Sequence, residues 1–275
     1  MTDKPLFFVL GAPKSGTTWL QLALDLHPQL ICRGEGKFHF FRQQLVGATE
    51  SYNAFMKTRT EQVFGKATFP PVKIQELDVI FRAFVEGRLR AGGQAEGMRV
   101  GAKDPDFGLF LSDFAAIYPD ADYIHIIRDP RDAAISMQRH MQRLHPGVDT
   151  RSLMDALTDT ARGWGSYITN VRAEVDRCEL SYLEVRYEDM VLHPNDELAK
   201  IFAFLRVDQG ASIIESCVAA TRFSVLSGGR EPGHTSDASF YRRGVAGGWQ
   251  DELDEAAGAL LLKAAGEVAL ELGYR

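Results

Sequence analysis

The segment Leu6-Phe-Phe-Val-Leu-Gly11-Ala-Pro-Lys14-Ser-Gly16-Thr-Thr-Trp19 decides how the rest of the chain is read. A short, unbroken apolar run ends at a glycine, as a buried parallel strand does, and a helical pattern begins at Thr17. A strand, a glycine-containing turn and a helix N-terminus together present backbone N–H groups and the positive end of a dipole to an anion. Lys14 adds an ammonium, and Ser15, Thr17 and Thr18 add hydroxyl donors. A nucleotide triphosphatase or kinase loop would place lysine directly after its second glycine, with a hydroxyl next for magnesium. Here Thr17 follows Gly16, and the lysine lies two residues before that glycine. The loop is P-loop-like without the metal-nucleotide lysine.

Further apolar runs are expected as strands at Leu30 to Cys32, Val100 to Lys103, Tyr123 to Ile127 and Tyr182 to Val185, with Leu6 to Leu10 as the first. Helical patterns fall near 17–26, 74–89, 109–117, 131–144, 153–175, 197–205 and 253–272. This alternation predicts an α/β fold: a single domain spanning 1–275, with a central, mainly parallel sheet flanked by helices. Two stretches, about 40–97 and 228–248, read as segments that cover the acceptor and cofactor, because long connections in compact domains are usually lids or binding loops.

The formal net charge of -6 argues against nucleic acid or an anionic membrane as partner, so any anion must be held by a focused pocket. Three scattered cysteines make neither a disulfide framework nor a metal site. The N-terminal apolar run reads as a strand rather than a signal, and no run approaches the roughly 20 residues of a membrane span. These features predict a cytoplasmic protein.

Downstream, Tyr123-Ile-His-Ile-Ile-Arg128-Asp-Pro-Arg-Asp-Ala-Ala-Ile-Ser136 runs from a strand into a helix, with Asp129 as N-cap and Pro130 in the first turn. Arg128 thereby sits at a strand's carboxyl end, where open α/β sheets bind ligands, although it could equally pair with Asp129 or Asp132. Phe240-Tyr-Arg242-Arg243-Gly244-Val-Ala-Gly-Gly-Trp249 combines forked phosphate-binding guanidiniums with glycine.

Pro-Lys-Ser-Gly-Thr-Thr-Trp resembles the 5′-phosphosulfate loop of the sulfotransferase family, and the later segments match the same family in order, from residue 6 to 249. The resemblance implies 3′-phosphoadenosine 5′-phosphosulfate (PAPS) as donor, 3′,5′-adenosine diphosphate (PAP) as product, and no metal. It implies that Lys14 contacts the bridging oxygen and the sulfuryl group, that Ser15, Gly16, Thr17 and Thr18 hold the 5′-phosphate, and that Trp19 lies against adenine. Arg128 and Ser136 are similar to the 3′-phosphate pair. Arg242, Arg243 and Gly244 resemble the loop that closes over that phosphate, with Gly248 standing where an acidic residue usually precedes the tryptophan. Tyr187, Thr221 and Phe223 look like adenine contacts.

Sulfuryl transfer needs in-line attack, charge stabilisation and a base. Glu35, just beyond the second strand, is the first candidate. In carbohydrate-type members the base commonly stands two residues before His-Phe-Phe, where this chain has Lys37. His39 is the second candidate, because histidine titrates near neutrality. Asp104 is the third, one residue before the place of the small-molecule members' histidine, where Pro105 stands; capping the chain before Pro105 is its alternative role. Asp106 is weaker, and Lys103 is placed to aid the sulfuryl group. Phe38, Phe40, Phe41, Tyr52, Phe55, Phe64 and Phe69 suggest a small, apolar or aromatic acceptor molecule. The rival readings are a small-molecule kinase and a non-catalytic nucleotide-binding relative. Trp249 is not followed by the short dimerisation segment of many cytosolic members, so a conventional dimer is not expected.

Overall fold

In a computed structural model that describes residues 4–91, 97–147 and 152–275, the chain falls into two compact units, residues 4–35 with 97–275 and residues 36–91. The first unit holds the sheet. Its strands β1 (Phe7–Leu10), β2 (Leu30–Arg33), β3 (Arg99–Lys103), β4 (Asp122–Ile127) and β5 (Ser181–Arg186) are all parallel, in the order β2-β3-β1-β4-β5. The expected α/β class therefore stands, and all five strand expectations fall on observed strands.

β1 is buried along its whole length, as an unbroken apolar run demands. Phe8 points to one face, where Phe107, Phe114, Tyr118 and Tyr123 surround it with ring centroids 5.1 to 5.7 Å away. Phe7 and Val9 point to the other, into a core shared with Leu20, Leu24, Ile126, Ile201 and Phe202. Each such aromatic or aliphatic side chain contributes about 1.5–3 kcal/mol through burial, which anchors β1 at the sheet centre.

Helices α1 (Thr17–Asp25), α2 (Phe38–Phe64), α3 (Asp78–Arg90), α4 (Leu111–Ile117), α5 (Pro130–Leu144), α6 (Leu153–Cys178), α7 (Tyr187–Leu192), α8 (Pro194–Phe204), α9 (Ala211–Ala220), α10 (Phe223–Leu226), α11 (Glu255–Ala265) and α12 (Glu267–Glu271) complete the described elements. Asp129 caps α5 by accepting from the Arg131 N–H at 2.8 Å, with Pro130 in the first turn as expected. The terminal helix expected as one piece is broken at Gly266, whose φ of 83° is left-handed.

In the second unit the helix expected near 74–89 is observed, as a short turn at Ile74–Leu77 followed by α3, whereas the reading of the earlier part of the 40–97 segment without a helix is corrected. Its first part is α2, a helix of 27 residues, in which only Phe38 and Thr60 are buried. So exposed a helix has no sustained apolar stripe, and periodicity gave no sign of it. In α3 the core positions are Phe81, Val85 and Leu89, one helical face, and Phe41 of α2 stacks on Phe84 of α3 with centroids 3.9 Å apart. Arg42 and Asp78 pair at 3.2 Å, and Asn53 makes both backbone bonds of Val72 at 2.9 Å. Of the aromatics expected to line an acceptor pocket, Phe55, Phe64 and Phe69 are more than 60% exposed.

Candidate active site

Successive connections place β2 and β3 on one side of β1 and β4 and β5 on the other. The carboxyl end of β1 is therefore the topological switch point, the crevice where open α/β sheets hold ligands. The loops after β1, β3 and β4 open there.

The loop after β1 is built by its backbone. Ser15 N–H donates to the Ala12 carbonyl at 3.1 Å, Lys14 takes a left-handed φ of 72°, and Gly16 one of 96°. A Cβ on Gly16 would come within 2.6 Å of the Tyr187 ring, so glycine is required by conformation and by space alike. A lysine held left-handed is a local strain of the kind concentrated at functional sites. The Lys14 ammonium lies 4.3 Å from the Phe240 ring centroid. Burial, then the charges of Arg143, Arg128 and Lys103, lower its pKa to about 8, against a smaller opposing pull from Glu35.

Beside it, Lys103, buried at the end of β3, donates to Glu35 Oε1 at 2.7 Å and to Thr18 Oγ1 at 3.1 Å. Helix α1 and the segment after β2 are thus joined to the end of β3 by one ammonium. The Glu35 side chain is 39% exposed, so the carboxylate is reachable. Asp104 is fully buried and accepts from the Asp106 N–H at 3.0 Å, capping the turn at Pro105–Gly108. Of its two alternatives, it adopts the capping geometry. His39 belongs to α2 in the second unit.

Arg128 gathers three parts of the site. It donates to the Lys14 carbonyl at 3.3 Å and the Val245 carbonyl at 3.4 Å, lies 4.3 Å from the Tyr187 ring centroid, and pairs with Asp132 at 3.7 Å. Ser136 lines a cleft together with Lys14, Arg139, His140, Arg143, Phe240 and Arg242. Trp19 packs edge-on to Tyr187 and donates its indole N–H to the Thr221 carbonyl at 3.0 Å. Phe223 lies against Gly244, where φ is 68° and an added Cβ would meet the ring at 2.0 Å. The sequence-selected residues of the first unit thus converge around one crevice.

Arg242 pairs with Glu252 at 2.5 Å, and Arg243 with Asp251 and with the Gly248 carbonyl at 2.9 Å. Asp132 is the residue the sequence reading underused: its carboxylate accepts from the Gly247 and Trp249 N–H groups at 2.9 and 2.8 Å, pinning the glycine-rich segment to α5. Burial raises its pKa. The Arg131 guanidinium, 3.8 Å from the Trp249 ring centroid, adds a second clasp. On α5, Arg143 donates to His140 Nδ1 at 2.9 Å. Burial, and then the Lys14 and Arg143 charges, lower the His140 pKa.

A doubly phosphorylated nucleotide fits this donor set. Among the described residues, Ser15 Oγ, Arg128 Nε and Arg243 Nε are buried polar atoms without hydrogen-bond partners, and glycines stand where a backbone must approach closely. Fold and crevice define an α/β protein with a P-loop-like turn at the switch point of its parallel sheet. The model of the sulfotransferase family matches residues 5–210, and the chain belongs to that family.

Among curated proteins, the chain is 29% identical over 212 residues to protein-tyrosine sulfotransferase 1 of Danio rerio, covering 77% of this chain and 56% of the relative. It is 26% identical over 218 residues to protein-tyrosine sulfotransferase 2 of Gallus gallus, covering 77% and 54%. The chain thus spans about half the length of the curated relatives it matches. Its fold is similar to that of mouse sulfotransferase SULT7A1 complexed with PAP, with a TM-score of 0.62, 17% identity and coverage of 97% and 85%. It is also similar to the sulfotransferase domain of the Synechococcus PCC 7002 olefin synthase, with a TM-score of 0.56, 21% identity and coverage of 97% and 95%.

These relatives overturn two expectations. The acceptor expected from the aromatic residues was a small molecule, whereas the curated relatives are named for transfer to protein tyrosine. The cytoplasmic expectation, which rested on the scattered cysteines, an N-terminal run read as a strand and the lack of a long apolar run, is overturned by the same relatives. Among the described residues no helix is long and apolar enough to cross a membrane, an observation that does not assign a compartment.

Proposed function

We propose that this protein transfers a sulfuryl group from PAPS to the phenolic oxygen of a tyrosine in a polypeptide. The observation that carries the reading is the pair of lysines at the switch point, half-buried Lys14 in the loop after β1 and buried Lys103 on Glu35 and Thr18, inside a fold of the sulfotransferase family. Residues 15–18 and Lys14 would hold the 5′-phosphosulfate, Arg128, Ser136, Arg242 and Arg243 the 3′-phosphate, and Trp19, Tyr187, Thr221 and Phe223 the adenine side. The acceptor class comes from the curated relatives, protein-tyrosine sulfotransferases matched over 77% of this chain.

In this reading a new bond forms between the tyrosine oxygen and sulfur as the bond from sulfur to the 5′-phosphate oxygen breaks, releasing PAP. Lys14 offsets the charge gathering on the leaving oxygen, with the α1 N–H groups beside it. Glu35 takes the phenolic proton. Lys103 holds the Glu35 carboxylate in place and shares its positive charge with the transferring group. Asp104, committed to its turn, is not assigned the base.

Sulfur-35 transfer from labelled PAPS to a tyrosine peptide, with its phenylalanine analogue as blank, tests the reaction. Label in the tyrosine peptide alone is the expected result; label in neither would sink the reading. Replacing Glu35 by glutamine should lower kcat about 10²-fold or more while PAP affinity changes little, as for loss of a general base. Unchanged kcat would remove Glu35 from that role.

A further inference from the structure

Tyr167, on α6, is 5% exposed, and its hydroxyl lies between two loops of the crevice. The Gly11 N–H donates to it at 3.1 Å, and it donates to the Pro105 carbonyl at 2.7 Å. Gly11 opens the loop that carries Lys14, and Pro105 follows Lys103 and Asp104 directly. Burial pushes the Tyr167 phenol above its ordinary range, which keeps the hydroxyl protonated and able to accept and donate at once.

We propose that Tyr167 is a positioning residue for sulfuryl transfer: its hydroxyl clamps the Gly11 and Pro105 backbones together and so sets the distance between Lys14 and the Lys103–Glu35 pair. This assignment rests on the transferase reading above. Lys14 sits three residues beyond Gly11, across a turn closed by a single Ser15-to-Ala12 backbone bond. Lys103 sits two residues before Pro105, at the end of a strand whose ladder fixes its other side. A buried N–H without an acceptor is costly, so loss of the hydroxyl would drive the Gly11 loop to seek another partner. Misplacement by about 1 Å can slow an in-line reaction roughly 10²-fold. The ring is a separate matter: it packs near His125, with centroids 5.8 Å apart, and fills the space over Gly108. Phenylalanine keeps that packing and deletes only the clamp.

The test uses the full chain with labelled PAPS and the tyrosine peptide. Tyr167→Phe is expected to lower kcat about 30-fold, with the KM for PAPS and the affinity for PAP changed less than about 3-fold. In a Lys103→Ala background the same change should cost less than about 3-fold, because the clamp then has nothing to place. A role in stability alone would lower Tm and leave the two effects multiplicative, and that result overturns the proposal. Gly108→Ala, whose Cβ would stand 2.2 Å from the Tyr167 hydroxyl, displaces the same group without deleting it and should reproduce the kcat loss if Tyr167→Phe does not fold. Wild-type transfer with an equally fast Tyr167→Phe enzyme defeats the positioning role and leaves the transferase reading standing. Wild-type protein without transfer defeats both.

Discussion

The loop after β1 and the segment from Gly228 to Trp249 bring positive charge to one crevice by opposite means. The first is backbone-built: a turn closed on Ala12, two left-handed residues in sequence positions 14 and 16, and a helix start, all wedged between buried strands. The second has neither helix nor strand from 228 to 247 and is held by side chains, Asp132 on its N–H groups and Glu252 and Asp251 on its arginines. The match to the sulfotransferase family ends at residue 210, so the first loop lies inside it and the second outside. Placing a reacting centre calls for rigid backbone, whereas enclosing a ligand calls for contacts that can open and re-form.

The contrast can be broken most sharply at Lys14. Lys14→Ala should lower kcat about 10³-fold while Tm stays near that of the wild type, since the charge acts mainly on the leaving oxygen. Circular dichroism melts beside turnover numbers check it, and near-normal turnover would remove the first loop from the chemistry.

On the second loop the loss should appear in binding. Arg242→Ala or Arg243→Ala is expected to weaken PAP about 10–100-fold by calorimetry, as for loss of a charge-assisted phosphate contact, and to weaken adenosine 5′-phosphate much less. Equal losses for both ligands would detach these arginines from the 3′-phosphate.

A smaller effect is expected at Asp132. Asp132→Ala frees two N–H groups and should weaken PAP about 5–10-fold, mainly through faster dissociation, in line with one or two net hydrogen bonds. Stopped-flow displacement separates the rates.

The smallest effect is in pH. Lys14 has its pKa lowered to about 8, so its ammonium is intact below that value and lost as pH rises through it. The kcat/KM for PAPS should therefore fall above pH 8, and the limb in kcat should lie higher, because a bound anionic donor favours the charged lysine. Lys14→Arg should carry both limbs out of range.

Much of this organisation is legible in the chain itself, for identifiable reasons. Continuous apolar runs at 7–10 and 123–127 can only be strands buried on both faces, and Asp129-Pro130 announces a helix start by local chemistry alone. Helix α2 is hidden because a mostly exposed helix need not repeat its apolar residues, and Phe40, Phe55 and Phe64 face solvent. The Tyr167 clamp is hidden for another reason: its partners lie 156 and 62 residues away in sequence, and a tyrosine inside a helix has no local mark of what its hydroxyl will meet. The acidic pair Asp251-Glu252 was visible beside Arg242 and Arg243, yet only folding reveals that the chain supplies its own counter-charges.

That self-pairing has a consequence in solution. A loop whose guanidiniums already rest on tethered carboxylates exchanges one anion for another when nucleotide arrives, and few dissolved ions are set free. Association driven by ion release steepens with dilution of salt. Here the second loop would respond only weakly to ionic strength, and an acidic protein of net charge -6 would admit a small, doubly phosphorylated nucleotide without becoming an adhesive surface for long polyanions.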